Sequence, residues 1–213
     1  MKGHIIVFEG IDGSGKTSQI QMLADYINTE NYSYIVIKGH KAFDGVKEKI
    51  LAQNNKIDPF SLFLLSMAKF KTISEEISLM RDRVDFIIID RYVDTAIAYS
   101  QANIGSDELP VLNDVVPLLK RVFVLPDVTV FINTPAEVAL QRKHNCFDRI
   151  ELGNGSLSEG RQKHFLRNQR FAEMKYKEII IQEESKYITI DGKLSKREMH
   201  NILIESLRMR DIL

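Results

Sequence analysis

Five short apolar runs punctuate this chain, with amphipathic stretches between them. His4-Ile5-Ile6-Val7-Phe8-Glu9, Tyr34-Ile35-Val36-Ile37-Lys38, Phe86-Ile87-Ile88-Ile89, Val128-Thr129-Val130-Phe131-Ile132 and Tyr187-Ile188-Thr189-Ile190 are close to continuous in apolar side chains. Such runs predict parallel strands covered on both faces. Ser18 to Asn28 repeats Ile20, Leu23, Ala24 and Ile27 at helical spacing. Pro59 opens a longer helix, predicted over Phe60 to about Met80, with Phe63, Leu64, Met67, Phe70, Ile73 and Ile77 on one face. Helices are also predicted over Asp44–Gln53, Tyr92–Ala102, Leu109–Val122 and from Arg161 to about Gln182. Thr134-Pro135-Ala136-Glu137 predicts a helix start with Thr134 as cap and Pro135 in the first helical position. Ser195-Lys196-Arg197-Glu198 is a capping box for the last helix. From Cys146 to Gly160 the chain is rich in Gly, Asn and Ser and offers little to a core, which predicts a mobile surface segment, a lid over about 143–160.

Strands alternating with helices predict an α/β fold, a parallel sheet with helices on both faces, whose ligands bind at the carboxyl ends of the strands. The turn after the first strand there reads Gly10-Ile11-Asp12-Gly13-Ser14-Gly15-Lys16-Thr17. It fits G-x-x-x-x-G-K-[ST], between a strand and a helix start, and so predicts a P-loop in a three-layer P-loop NTP hydrolase fold with five parallel strands. Gly10, Gly13 and Gly15 allow the backbone to wrap phosphate oxygens closely, and the loop amides with Ile11, Asp12 and Ser14 complete an ATP-binding cradle. Lys16 is suited to the β- and γ-phosphates and the Thr17 hydroxyl to Mg²⁺. Asp90-Arg91-Tyr92 follows the third strand on the same edge. Asp90 can hold the magnesium shell and Arg91 can bridge donor and acceptor phosphates, though an ion pair at a helix start is the plain alternative.

Composition narrows the class. Length suits a single domain over 1–213. Lys+Arg and Asp+Glu are both 29, so the basic excess of a nucleic-acid binder is missing and phosphate recognition should be local. The single Cys146 excludes an internal disulfide and suits a reducing, cytoplasmic compartment. No apolar run reaches membrane-spanning length and no secretory leader is expected. The five histidines lack zinc-ligand spacing.

Four stretches resemble the thymidylate kinase family of nucleoside monophosphate kinases: FEGIDGSGKTSQ (Phe8 to Gln19), DRYVDTAIAY (Asp90 to Tyr99), PDVTVFINTPAEVALQR (Pro126 to Arg142) and Asp148-Arg149-Ile150-Glu151. The resemblance implies transfer of the γ-phosphoryl group of ATP to dTMP with Mg²⁺, and a homodimer. It implies that Lys16 neutralises the donor and that Arg91 touches both nucleotides. Asp12 would bind the acceptor 3′-hydroxyl, and Thr95, Tyr99 and Ser100 would face its base or sugar. With glycine at position 13, the chain resembles the members that supply an arginine from the lid. Arg149 is the first choice for it, then Arg142, with Arg161 and Lys143 behind.

The acceptor side departs from the family pattern. Lys38 stands where an arginine usually grips the acceptor phosphate, with Lys41 as a rival. Lys69 or Phe70 matches the arginine that reads the thymine 4-oxo group, and Leu65 or Ser66 the stacking phenylalanine. Phe63 or Phe70 could stack instead. A lysine supplies a point charge where arginine supplies a fork. A kinase of another nucleoside monophosphate or deoxynucleoside therefore stays open, as does a P-loop regulatory switch. Asp94 and the charged face over Arg161–Lys177, with Gln169 and Arg170, read as solvated surface.

Overall fold

Each of the five apolar runs forms a strand: β1 (His4–Glu9), β2 (Tyr34–Ile37), β3 (Phe86–Asp90), β4 (Val128–Asn133) and β5 (Tyr187–Asp191). The computed structural model describes residues 2–43, 45, 46, 49, 58–101, 103–143 and 159–213, the side chains of Ala42, Glu159 and Arg161 apart. The helices are α1 (Lys16–Thr29), α2 (Pro59–Met80), α3 (Val93–Gln101), α4 (Leu109–Lys120), α5 (Ala136–Arg142), α6 (Glu159–Gln182) and α7 (Lys196–Arg208). The expected helix over 44–53 and the expected lid over 143–160, with Arg149, lie largely outside the described residues.

Among the described residues the sheet is parallel throughout, in the order β2-β3-β1-β4-β5. The period of two splits each apolar run between two cores. Ile5, Val7, Ile87 and Ile89 pack under α2, α3 and α6 with Phe63, Phe70, Ile97 and Tyr176. Ile6, Phe8, Ile88, Val130 and Ile132 pack under α1 and α7 with Ile20, Leu23, Leu203 and Leu207. Helices cover both faces of the central strands, which is why the runs read as continuous rather than alternating.

Three local readings are corrected. Leu64 is 48% exposed and leaves the buried stripe of α2. Pro135, not Thr134, takes the cap position of α5, and the Thr134 hydroxyl instead donates to the Ser14 carbonyl at 3.0 Å. Asp94 is not a solvated residue. It accepts from the Tyr187 hydroxyl at 2.6 Å and faces Lys120 at 3.5 Å. The Ser195–Glu198 capping box forms as expected.

Candidate active site

β1 delivers its chain to the carboxyl edge of the sheet between β3 and β4, with Phe8 opposite Asp90 and Glu9 opposite Phe131. The loop that follows turns through Gly10, Gly13 and Gly15, all at positive φ, and Gly15 caps α1 without any side-chain bond. The first amides of α1 are thus left to face an anion. Gly13 has a second requirement. A Cβ there would lie 2.8 Å from the Ala139 carbonyl oxygen, so α5 packs directly on the loop.

Lys16 turns back over the loop. Its ammonium donates to the Gly10 carbonyl at 3.0 Å, the Ile11 carbonyl at 2.9 Å and the Ser14 hydroxyl at 3.4 Å. Burial, helped by Arg91, pushes it down to about 7 against the pull of Asp12, Asp90 and Glu9. Among the described residues its hydrogen bonds go to neutral acceptors, so a buried ammonium there gains from an anionic ligand. Arg142, at the end of α5, donates to the Ser14 carbonyl at 3.1 Å and the Gly192 carbonyl at 2.6 Å. It ties the loop to the turn after β5.

Arg91 sits opposite. Its backbone is left-handed, with φ 72, a conformation that costs a β-carbon-bearing residue about 1–2 kcal/mol. Its guanidinium pairs with the Asp12 carboxylate and lies over the Tyr99 ring, 5.5 Å from the centroid. Burial would push the Asp12 carboxyl up, but Arg91, Lys16 and Lys143 outweigh it and hold the group below the ordinary carboxylate range. Gln169 completes the contact. Its oxygen accepts from the Asp12 amide at 3.0 Å and the Tyr99 hydroxyl at 2.8 Å, and its nitrogen donates to Asp12 Oδ2 at 3.3 Å. Gln169 is 2% exposed, so its expected place on a solvated face is overturned. Arg170 does lie outside, paired with Glu137 at 2.6 Å.

Beneath Arg91 is a polar cluster that the sequence reading passed over. Glu9 is fully buried and accepts from the Tyr92 amide at 2.8 Å, the Thr95 hydroxyl at 2.5 Å and the Tyr176 hydroxyl at 2.9 Å. Burial, with the Asp94 carboxylate adding to it, raises Glu9 to about 7. Signals for these residues were present. Glu9 is the one acid in an apolar strand. Gln169 and Tyr176 fall in the buried stripe Phe165, Gln169, Ala172, Tyr176, Ile179 along α6.

The remaining predicted residues divide. Thr95 turns its hydroxyl to Glu9, and Tyr99 turns its own to Gln169. Phe70 is 2% exposed, meets Tyr92 edge to face at 5.7 Å and serves the core rather than an open base site. The Lys69 ammonium lies 4.5 Å from the Phe70 ring centroid. Leu65, Lys69 and Ser100 are partly exposed, and Lys38 and Thr17 are exposed. Lys38 leaves β2 one residue past Ile37, which pairs with Ile89, and so reaches the edge that holds Asp90. Arg149 lies outside the described residues. No helix among the described residues is long and apolar enough to cross a membrane.

A phosphate cradle after β1, with an acid and an arginine at the end of β3 facing it, defines an α/β P-loop phosphotransferase. The chain belongs to the thymidylate kinase family, whose model, described as "Thymidylate kinase", matches residues 8–203. It is 26% identical over 98% of each chain to the thymidylate kinase of Thermoanaerobacter sp. (strain X514). It is 30% identical to that of Pelobacter propionicus, over 95% of this chain and 92% of that one. With the enzyme of Carboxydothermus hydrogenoformans it shares 32% identity, over 80% and 88%.

Proposed function

We propose that this chain phosphorylates dTMP with ATP, giving dTDP and ADP. The observation that carries the reading is the meeting of Lys16 with the Asp12–Arg91 pair at one sheet edge. Donor phosphates would lie on the amides of Gly13 to Thr17, with Lys16 swinging from the loop carbonyls onto the β- and γ-oxygens. Arg91 would leave Asp12 to lie between the donor γ-phosphate and the acceptor phosphate, freeing Asp12 for the 3′-hydroxyl. Tyr99 and Ser100 would flank the sugar and base, and Lys38, Leu65 and Lys69 would bound the acceptor. An oxygen of the dTMP phosphate attacks the γ-phosphorus, the bond to the β–γ bridging oxygen breaks, and ADP leaves with that electron pair. The chain's part is positioning and charge neutralisation.

The residues present fit Mg²⁺. Among the described residues the buried Asp90 Oδ1 atom has no hydrogen-bond partner, and the exposed Thr17 hydroxyl opens α1. A hard cation of this kind is held by few protein oxygens and by the phosphates of its nucleotide. When bound, the ion would neutralise the β- and γ-oxygens. Arg149 remains the proposed lid arginine by family resemblance.

The test offers a panel of nucleoside monophosphates and nucleosides, each with ATP and Mg²⁺, and identifies the phosphorylated products. dTMP should be the preferred acceptor. Preference for another acceptor, or slow ADP release that needs none, would overturn the reading.

A further inference from the structure

Adjacent residues of β1 hold adjacent residues of the turn after β3. The Arg91 amide donates to the Phe8 carbonyl at 3.0 Å, and the Tyr92 amide donates to Glu9 Oε1 at 2.8 Å. The Thr95 amide reaches the same oxygen at 3.3 Å, so a carboxylate from the neighbouring strand caps the first turn of α3. Arg91 stands between these anchors in the left-handed conformation. A second line runs through side chains. Arg91 Nη1 donates to Thr95 Oγ1 at 3.4 Å, and Thr95 Oγ1 donates to Glu9 Oε2, which the buried Tyr176 hydroxyl also holds. Strained backbone of this kind persists only where its surroundings over-determine it. Here the surroundings are the Phe8 carbonyl on one side of Arg91 and the Glu9 carboxylate on the other.

We propose that Glu9 is a positioning residue: it touches neither nucleotide, and its carboxylate fixes the turn and the hydroxyl that aim the Arg91 guanidinium. The proposal rests on Arg91 acting on the two phosphates as described above. Tyr176 and Thr95 belong to the same device, one locking the carboxylate from α6 and the other passing its position to Arg91.

The experiment is a double-mutant cycle read by steady-state kinetics with ATP, Mg²⁺ and dTMP. Glu9→Asp keeps the carboxyl group and draws its oxygens back by a methylene. Arg91→Lys keeps the charge and removes the fork. Glu9→Asp should lower kcat/KM for dTMP about tenfold in the parent and less than about twofold beside Arg91→Lys, because the second change has already removed what Glu9 positions. The KM for ATP should move little in either background. Glu9→Gln, which retains an oxygen for the Tyr92 and Thr95 amides, should recover most of the loss. Equal fold losses in the two backgrounds would overturn the proposal while leaving the kinase reading intact. Absence of dTMP phosphorylation in the parent would overturn both. Should Glu9→Asp fail to fold, Thr95→Val breaks the side-chain line alone and carries the same cycle, with the same two outcomes.

Discussion

Asp12 and Arg91, 79 residues apart in sequence, close an ion pair at the junction of the loop after β1 and the turn after β3. Both side chains are about one-fifth exposed, at 22% each, so neither charge is well solvated if its partner is lost. Alanine at either position should destabilise the protein by about 2–3 kcal/mol, and the double variant by clearly less than the sum. Urea unfolding of the three variants measures this. Additive losses would show that the two charges are not coupled.

Gln169 should report on the same junction from the other side. Leucine in its place leaves the Asp12 amide and the Tyr99 hydroxyl without their acceptor. A loss of about 2 kcal/mol is expected from two partly buried donors, together with a raised KM for dTMP. A solvated residue, as the sequence alone suggested, would give neither. Thermal melts and acceptor titrations separate the two views.

Gly13→Ala should weaken the donor site. The new methyl would meet the Ala139 carbonyl at 2.8 Å on a backbone with φ +80. Either the loop or α5 must shift, and a cost of about 1–3 kcal/mol follows from strain of this kind. The KM for ATP should rise more than that for dTMP. An unchanged KM for ATP would mean that α5 yields freely.

Glu9 predicts a pH signature. Its folded value near 7 lies above the ordinary 4.5, raised by burial and by Asp94 against the pull of Arg91 and of its hydrogen bonds. A raised acid contributes stability that is complete below the unfolded value and is lost as pH climbs through the folded one. Glu9→Gln does not titrate. Its stability relative to the parent should therefore increase by about 3 kcal/mol from about pH 4 to about pH 9. A constant offset across that range would show that folding leaves the Glu9 carboxyl at its ordinary value.

Much of the fold could be read from residue pattern because the central strands are covered on both faces. The runs around Ile6, Ile88 and Val130 had no solvent face to interrupt them. The phosphate cradle was legible for another reason: three glycines and a lysine at fixed spacing serve one chemistry. The polar interior was harder to see. Gln169 and Tyr176 sit among charged neighbours on α6, and only the spacing of Phe165, Ala172 and Ile179 marks their face as buried. Glu9 was read as the end of a strand. Its role depends on Tyr92 and Thr95, which the fold brings to it from more than 80 residues away. Phe70 could be placed near the base by family spacing, but the side of α2 that it occupies was decided by packing against Tyr92.

The strand that ends in Glu9 runs straight into Gly10, so donor cradle and arginine mount share a single beam. A shift of β1 against its neighbours would carry Gly10 and the anchors of the Arg91 turn together. Swapping a core residue of that beam, such as Val7 or Phe8, would shift the cradle and the Arg91 turn from beneath while leaving the side chains of both unchanged.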